Sequence, residues 1–182
     1  MSKAVYLVGF VLCLALSLSL SEARAGGWQK VDCSGSRLVT SGSYTNVECY
    51  YSTTTGSDYG GQYDFYGMVI DQSDWYLNMA LRMAGFHGHI FLESYPDMKS
   101  FALDYFGWLK GKTKDWSEAQ QGDGLHYISF TYKSYPCFAF ERGQQPRGRG
   151  YKYAFTGLVC RPDGGKLSFE GFKAIALSFT NK

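Results

Sequence analysis

The alternation of large side chains with small or polar ones is clearest over residues 124–160. Every second position from 126 to 132, and again from 151 to 155, carries a large and mostly aromatic side chain. Period-two alternation is typical of strands that bury one face. Turn residues at 134–136 and glycines between 143 and 150 interrupt it. The stretch therefore predicts an antiparallel meander at the C-terminal side of the fold.

Apolar residues at helical spacing predict three helices elsewhere in the chain. The first prediction covers residues 73–85 and rests on one repeated face: Trp75, Met79 and Met83. The second covers residues 96–110, with a proline in its first turn, and the third begins after the capping residue Ser168. Shorter strands are predicted at residues 28–33, 38–40, 47–53, 62–70 and 87–93.

This order of elements predicts an α+β fold. We expect a mainly antiparallel sheet of about seven or eight strands, ending in the meander, with about three helices packed on it. Residues 26–182 are long enough for one domain with a sizeable core, and we find no internal repeat.

The first 25 residues have the features of a secretory signal peptide. Lys3 precedes a nearly continuous apolar run over residues 5–20, and the small residues Ala23 and Ala25 flank a cleavage pattern before Gly26. A membrane anchor is the alternative, but the apolar run is short for a transmembrane helix. The sequence therefore predicts a periplasmic or secreted protein, with no stable membrane insertion after signal removal.

The remaining cysteines support the same compartment. Cys33, Cys49, Cys137 and Cys160 make an even number in a chain predicted to be exported, which favours two disulfides. Three connectivities are possible, and we favour Cys33–Cys49 with Cys137–Cys160 because each pair brackets a predicted hairpin. A cysteine-ligated metal site is the alternative, but no C-x₂-C spacing is present.

Charge narrows the classes of partner. Removal of the predicted signal takes away Lys3, Arg24 and Glu22, which leaves 16 basic and 15 acidic residues and a net charge of +1. A nearly neutral chain argues against nucleic acid as a partner.

The most specific candidate site is a possible divalent-metal motif. On a strand, His87, His89 and Glu93 would project from one face, and imidazole with carboxylate can hold such an ion. Their H-x-H-x₃-E spacing resembles the first metal motif of the cupins, although Leu81 and Ser100 stand where that family has glycines. The alternative is a surface strand with two solvated histidines.

A second candidate lies in the segment between the last two predicted strands. Four basic residues among glycines could contact an anion or a partner, or could simply be solvated: Arg142, Arg147, Arg149 and Lys152.

Aromatic residues form the third candidate. Six tyrosines crowd the first half of the mature chain, close to Trp28 and Phe65: Tyr44, Tyr50, Tyr51, Tyr59, Tyr63 and Tyr66. Exposed rings could stack on sugars or contact a protein, with Asp58, Gln62 and Asp64 as polar neighbours. The alternative is that tyrosine simply suits half-buried strands.

We find no nucleophile motif and no phosphate-binding loop in the sequence. The sequence thus predicts a non-enzymatic binding or interaction protein without a cofactor, whose partner is an unidentified protein or glycan. The alternative is a small metal-dependent enzyme, or metal-binding protein, that uses His87, His89 and Glu93.

Overall fold

The computed structural model describes residues 27–55, 62–86, 88–92 and 97–182. The predicted signal peptide, residues 1–25, lies outside them. Within the described ranges, no helix is both long and apolar enough to cross a bilayer.

A nine-stranded antiparallel sheet forms the centre of the fold, in the order β1-β3-β4-β5-β10-β9-β8-β6, with β7 also paired to β8. Its strands are β1 (Gln29–Val31), β3 (Val47–Thr55), β4 (Gln62–Asp71), β5 (Tyr76–Ala84), β6 (Thr113–Lys114), β7 (Gln120–Gly122), β8 (Leu125–Tyr132), β9 (Tyr135–Arg147) and β10 (Gly150–Cys160). A second, two-stranded sheet pairs β2 (Leu38–Thr40) with β11 (Phe179–Asn181). The mainly antiparallel class is confirmed, and so is the meander, which is β8–β9–β10.

The strand count exceeds the prediction because β5 was predicted as a helix and because β6, β7 and β11 were not predicted. β6, β7 and β11 contain only two or three residues each, too few for any periodicity to register.

The helix predicted over residues 73–85 is wrong: this segment contains β5, which pairs with β4 and β10. Residues four apart share a face on a strand as well as on a helix, so Trp75, Met79 and Met83 fit both. β5 is central in the sheet, and both of its faces carry buried residues, which removes the polar alternation that identifies a half-buried strand.

The third predicted helix is confirmed as α2 (Phe169–Ser178), which begins after Ser168, whose hydroxyl accepts from the Gly171 N–H. We call the side of the sheet that it covers the α2 face. Phe172 of α2 is fully buried and stacks on Phe138 of β9, with ring centroids 4.5 Å apart. This contact anchors α2 over the middle of the sheet.

The second predicted helix is shorter than expected. α1 (Met98–Tyr105) begins at Asp97, whose carboxylate accepts from the Ser100 N–H, and a 3₁₀ turn (Gly107–Leu109) follows. Its buried residues pack on β8, β9 and β10, on the side of the sheet opposite α2. We call that side the α1 face. Because α1 is only eight residues long, the half of this face over β3, β4 and β5 is left without a helix.

Both predicted disulfides are confirmed. Cys137 and Cys160 are directly opposed on β9 and β10, with Cα atoms 4.2 Å apart. Cys33 and Cys49 join the turn after β1 to β3, with Cα atoms 5.2 Å apart. The disulfides are consistent with an oxidising compartment outside the cytoplasm.

Candidate functional site

An aromatic groove lies where α1 leaves the α1 face open. Its volume is about 810 Å³, and it runs between β3–β4–β5 and the edge formed by α1 and the 3₁₀ turn. Six large hydrophobic residues are exposed in the part of the chain that the structure describes, and three of them line this groove: Trp28, Tyr105 and Trp108, exposed by 49%, 41% and 37%. Concentration of such rings in one concavity is typical of a binding site.

The floor of the groove is built from small and polar side chains. Gly67 of β4 is the register partner of Tyr50 on β3 and of Ala80 on β5. Because Gly67 and Ala80 have little or no side chain, the floor of the groove is low along this row. Asn78 lies two residues before Ala80 on the same face of β5, half-buried between the apolar partners Val69 and Leu158. The floor therefore offers an amide among apolar neighbours.

One wall of the groove comes from the first strands. Trp28 meets Phe65 edge to face, with ring centroids 6.2 Å apart. The Tyr50 hydroxyl donates to Glu48 Oε2 at 2.5 Å, and this bond raises the pKa of Tyr50. Glu48 in turn pairs with Lys30 at 2.6 Å. These contacts hold the wall in place before any ligand arrives.

The opposite wall comes from the end of α1 and the 3₁₀ turn. The Trp108 ring is held edge-on by Tyr76 and Tyr132, at centroid distances of 5.8 and 5.1 Å. Burial raises the pKa of Tyr105 to about 12, with Arg82 opposing the shift. The residue as a whole is 41% exposed, and its ring packs edge to face against Phe106, with ring centroids 5.0 Å apart.

A buried polar group lies under α1 beside this wall. Glu141 is only 2% exposed, and its Oε1 is 3.7 Å from Arg82 Nη2. Its register partners on the neighbouring strands are His126 and Thr156. Burial lowers the pKa of His126. Because Ala80 on the groove floor pairs with Thr156, one row of residues connects this buried group to the groove.

The predicted metal motif falls mostly outside the described residues. His87 and Glu93 are not among them, while His89 is exposed beside the bridge that joins Ile90 to Tyr151. Within the described ranges, no three histidine, cysteine or acidic side chains come close enough to hold a metal. The metal site, and the enzyme built on it, remain predictions.

The segment carrying the four basic residues is a regular hairpin rather than a long loop. β9 continues to Arg147 and β10 begins at Gly150, with Gly148 at φ +59° in the tight turn. Arg142 is buried on the α2 face, so it does not join Arg149, which is exposed at the tip. Arg147 and Lys152 are half-buried on the two strands. Anion or partner contact by Arg147, Arg149 and Lys152 remains a prediction.

The aromatic prediction identified one wall of the groove. Tyr50, Trp28 and Phe65 line it, whereas Tyr44 and Tyr66 pack against the core of the α2 face. Tyr51 donates to Asp64 Oδ1 at 2.9 Å, and Gln62 lies 3.4 Å from the same oxygen, so these groups contact one another. Tyr59 and Asp58 fall outside the described residues, and Tyr63 reaches the His89 carbonyl at 3.4 Å.

Sequence reasoning missed the second wall and the amide on the floor. Tyr105 lies within the second predicted helix, which was expected to pack on the sheet, and it is 41% exposed. Trp108 lies seven residues after Phe101, at the edge of the predicted apolar face, so helical spacing indicated burial. The structure instead places it in the 3₁₀ turn after α1, 37% exposed. Asn78 was assigned to a helix that does not form.

We compared the chain with known protein families, curated proteins and solved structures. No family model matches the chain, and no match is found among curated proteins or among solved structures.

Proposed function

We propose that this protein is an exported, non-enzymatic binding protein, periplasmic or secreted, that holds an oligosaccharide chain in the aromatic groove. The observation that carries the proposal is the grouping of three exposed aromatic residues, Trp28, Tyr105 and Trp108, around one concavity. The two disulfides and the predicted signal peptide support the export part of the proposal.

A sugar fits the mixture of surfaces in the groove. Trp28 and Trp108 offer partly exposed aromatic rings, on which the C–H side of a pyranose can stack. Asn78 and the Thr54 hydroxyl offer hydrogen-bonding groups for sugar hydroxyls on the floor. The Asn78 amide also interacts with the Tyr76 hydroxyl, and its remaining hydrogen-bonding groups suit a sugar hydroxyl better than a purely apolar ligand.

Binding is favoured over hydrolysis by the content of the lining. Glycoside hydrolysis uses a pair of carboxylates that flank the scissile bond. Asp104 supplies the one carboxylate among the described residues of the lining. A site of this kind can hold a chain without cleaving it.

The test is a screen of purified mature protein on an array of oligosaccharides, followed by titration calorimetry of the best ligand against three variants. We expect Trp28→Ala and Trp108→Ala each to weaken binding about tenfold, the loss of one well-placed stacking contact. Leu177→Ala is the matched control, because Leu177 is 39% exposed but belongs to α2, on the other face of the sheet.

Unchanged affinity in both tryptophan variants would contradict binding in this groove. Absence of binding to every oligosaccharide on the array would contradict the proposed class of ligand.

A further inference from the structure

The lining of the groove is unusually poor in charge. Among the described residues that form it, Asp104 is the one charged side chain, and none is lysine or arginine. The remaining polar contribution comes from hydroxyls and from the Asn78 amide. A ligand entering the groove therefore meets aromatic rings, neutral donors and acceptors, and a single carboxylate.

The lysines next to the groove are already paired with carboxylates. At one rim, Lys30 Nζ is 2.6 Å from Glu48, the residue that accepts from the Tyr50 hydroxyl. At the other rim, Lys110 Nζ is 2.9 Å from Asp104 Oδ1. Each rim therefore carries a carboxylate that neutralises its own lysine.

An acidic sugar would be penalised in this setting. Its carboxylate or sulfate would lose hydration against the ring of Trp108 and would approach Asp104, while Lys110 and Arg82, beside the groove, are already paired with Asp104 and Glu141. A neutral chain loses only hydroxyl hydration, which Asn78 and its neighbours on the floor replace.

We propose that the groove selects uncharged oligosaccharides over chains that carry uronic acids, sulfates or phosphates, and that Asp104 determines this selectivity. The inference rests on the proposed function, since it specifies the ligand class of the same site.

The experiment uses oligosaccharides in matched pairs, in which each neutral chain is compared with its carboxylated or sulfated counterpart. For the wild type we expect at least about tenfold weaker binding of the acidic member. Asp104→Asn removes the carboxylate and releases Lys110, so it should strengthen binding of the acidic chain. The ratio of neutral-chain to acidic-chain affinity should therefore fall. The effect should shrink in about 1 M salt, where the screening length falls to about 3 Å.

Asp115→Asn is the matched control. Like Asp104, Asp115 has a lysine beside its carboxylate, with Lys114 at 4.0 Å. Neither residue lines the groove, so the variant removes the same charge away from the ligand. Asp104 is 75% exposed and close to the C-terminal end of α1, where a negative charge is unfavourable, so Asp104→Asn should fold normally.

The outcomes separate this inference from the proposed function. Equal or tighter binding of the acidic chains would overturn the selectivity and leave oligosaccharide binding in place. If the ratio of neutral-chain to acidic-chain affinity is identical in the Asp104→Asn and Asp115→Asn variants, the role of Asp104 is overturned. If no chain of either kind binds, the proposed function fails and the selectivity fails with it.

Discussion

Trp28 lies over Gly67, so close that a Cβ on residue 67 would come within 3.0 Å of the Trp28 Cζ3 atom. Glycine inside a strand weakens it, and often marks a place where another group approaches closely. Here the group that approaches is an aromatic wall of the groove. The absence of a side chain at residue 67 therefore sets both the depth of the floor and the position of Trp28.

Gly67→Val should close the groove while the fold is kept. The valine side chain would displace Trp28 and fill the floor, and we expect binding of the oligosaccharide to weaken by more than about tenfold. The melting temperature should change little, because valine suits a strand and Trp28 is half exposed.

Gly122→Val is the control, since nothing lies within 4 Å of a Cβ at that position. Calorimetry of both variants with the same ligand checks the prediction. Normal affinity in Gly67→Val would show that the ligand does not reach this part of the floor.

The two disulfides should differ in their response to reductant. Cys137 and Cys160 are almost completely buried between α1 and the sheet, whereas Cys33 is exposed in the turn after β1. Mild reduction of the native protein should therefore open Cys33–Cys49 first, since exchange needs access to a sulfur atom. Alkylation followed by peptide mass spectrometry would show the order, and simultaneous opening of both bonds would contradict it.

The double variant Cys137→Ser plus Cys160→Ser should lose about 3 kcal/mol of stability in urea unfolding, as expected for a cross-link across 23 residues. A much smaller loss would indicate that the unfolded chain is already restricted in this region.

The sequence was most informative where local pattern and tertiary environment agree. β8, β9 and β10 are joined by short turns, so their alternation and the placement of Cys137 and Cys160 could be interpreted together. β5 could not be identified in this way, because one of its two neighbours, β10, comes from a distant part of the chain and both faces of β5 carry buried residues. The apolar residues of its two faces together imitate helical spacing.

The groove depends on distances in space that no single stretch contains. Trp28 and Trp108 are 80 positions apart in the sequence, and they form opposite walls because α1 ends before it covers β3–β4–β5. Sequence reasoning recognised the aromatic richness of the first wall. It had no means of pairing that wall with the second.

Arg142 was predicted to contact an anion or a partner, but in the structure its side chain supports the end of α2. Its guanidinium donates to the carbonyl of Phe179 at the end of α2 and stacks over the Phe155 ring, 4.3 Å from the ring centroid. A cation at a helix C-terminus is favourable, and this one is buried, which lowers the pKa of Arg142.

Arg142→Met should therefore destabilise the protein by about 1–3 kcal/mol, because it leaves the buried Phe179 carbonyl without its donor. Arg149→Met, at the exposed tip of the same hairpin, should change stability by less than about 0.5 kcal/mol. Urea unfolding of the two variants compares them directly. Equal midpoints would show that Arg142 does not support the end of α2.

Stability at low pH should depend on one ion pair in the turn before α2. Arg161 binds the Asp163 carboxylate through Nε at 3.0 Å and Nη2 at 2.5 Å, and the Gly165 N–H donates to it at 3.0 Å. Arg161, and then this backbone bond, lower the pKa of Asp163 from 3.8 to about 2. The folded state therefore binds this proton less readily than the unfolded chain does.

The direction of the pH effect follows from linkage. The stabilisation is complete above pH 3.8 and is lost as the pH falls towards 2, since the unfolded chain takes up the proton first. Asp163→Asn should therefore be less stable than the wild type at pH 6, and the two proteins should converge near pH 2. Urea midpoints across this range measure the difference, and Arg161→Gln should show the same convergence. A constant difference between wild type and Asp163→Asn from pH 6 to 2 would mean that the carboxylate charge contributes nothing to this turn.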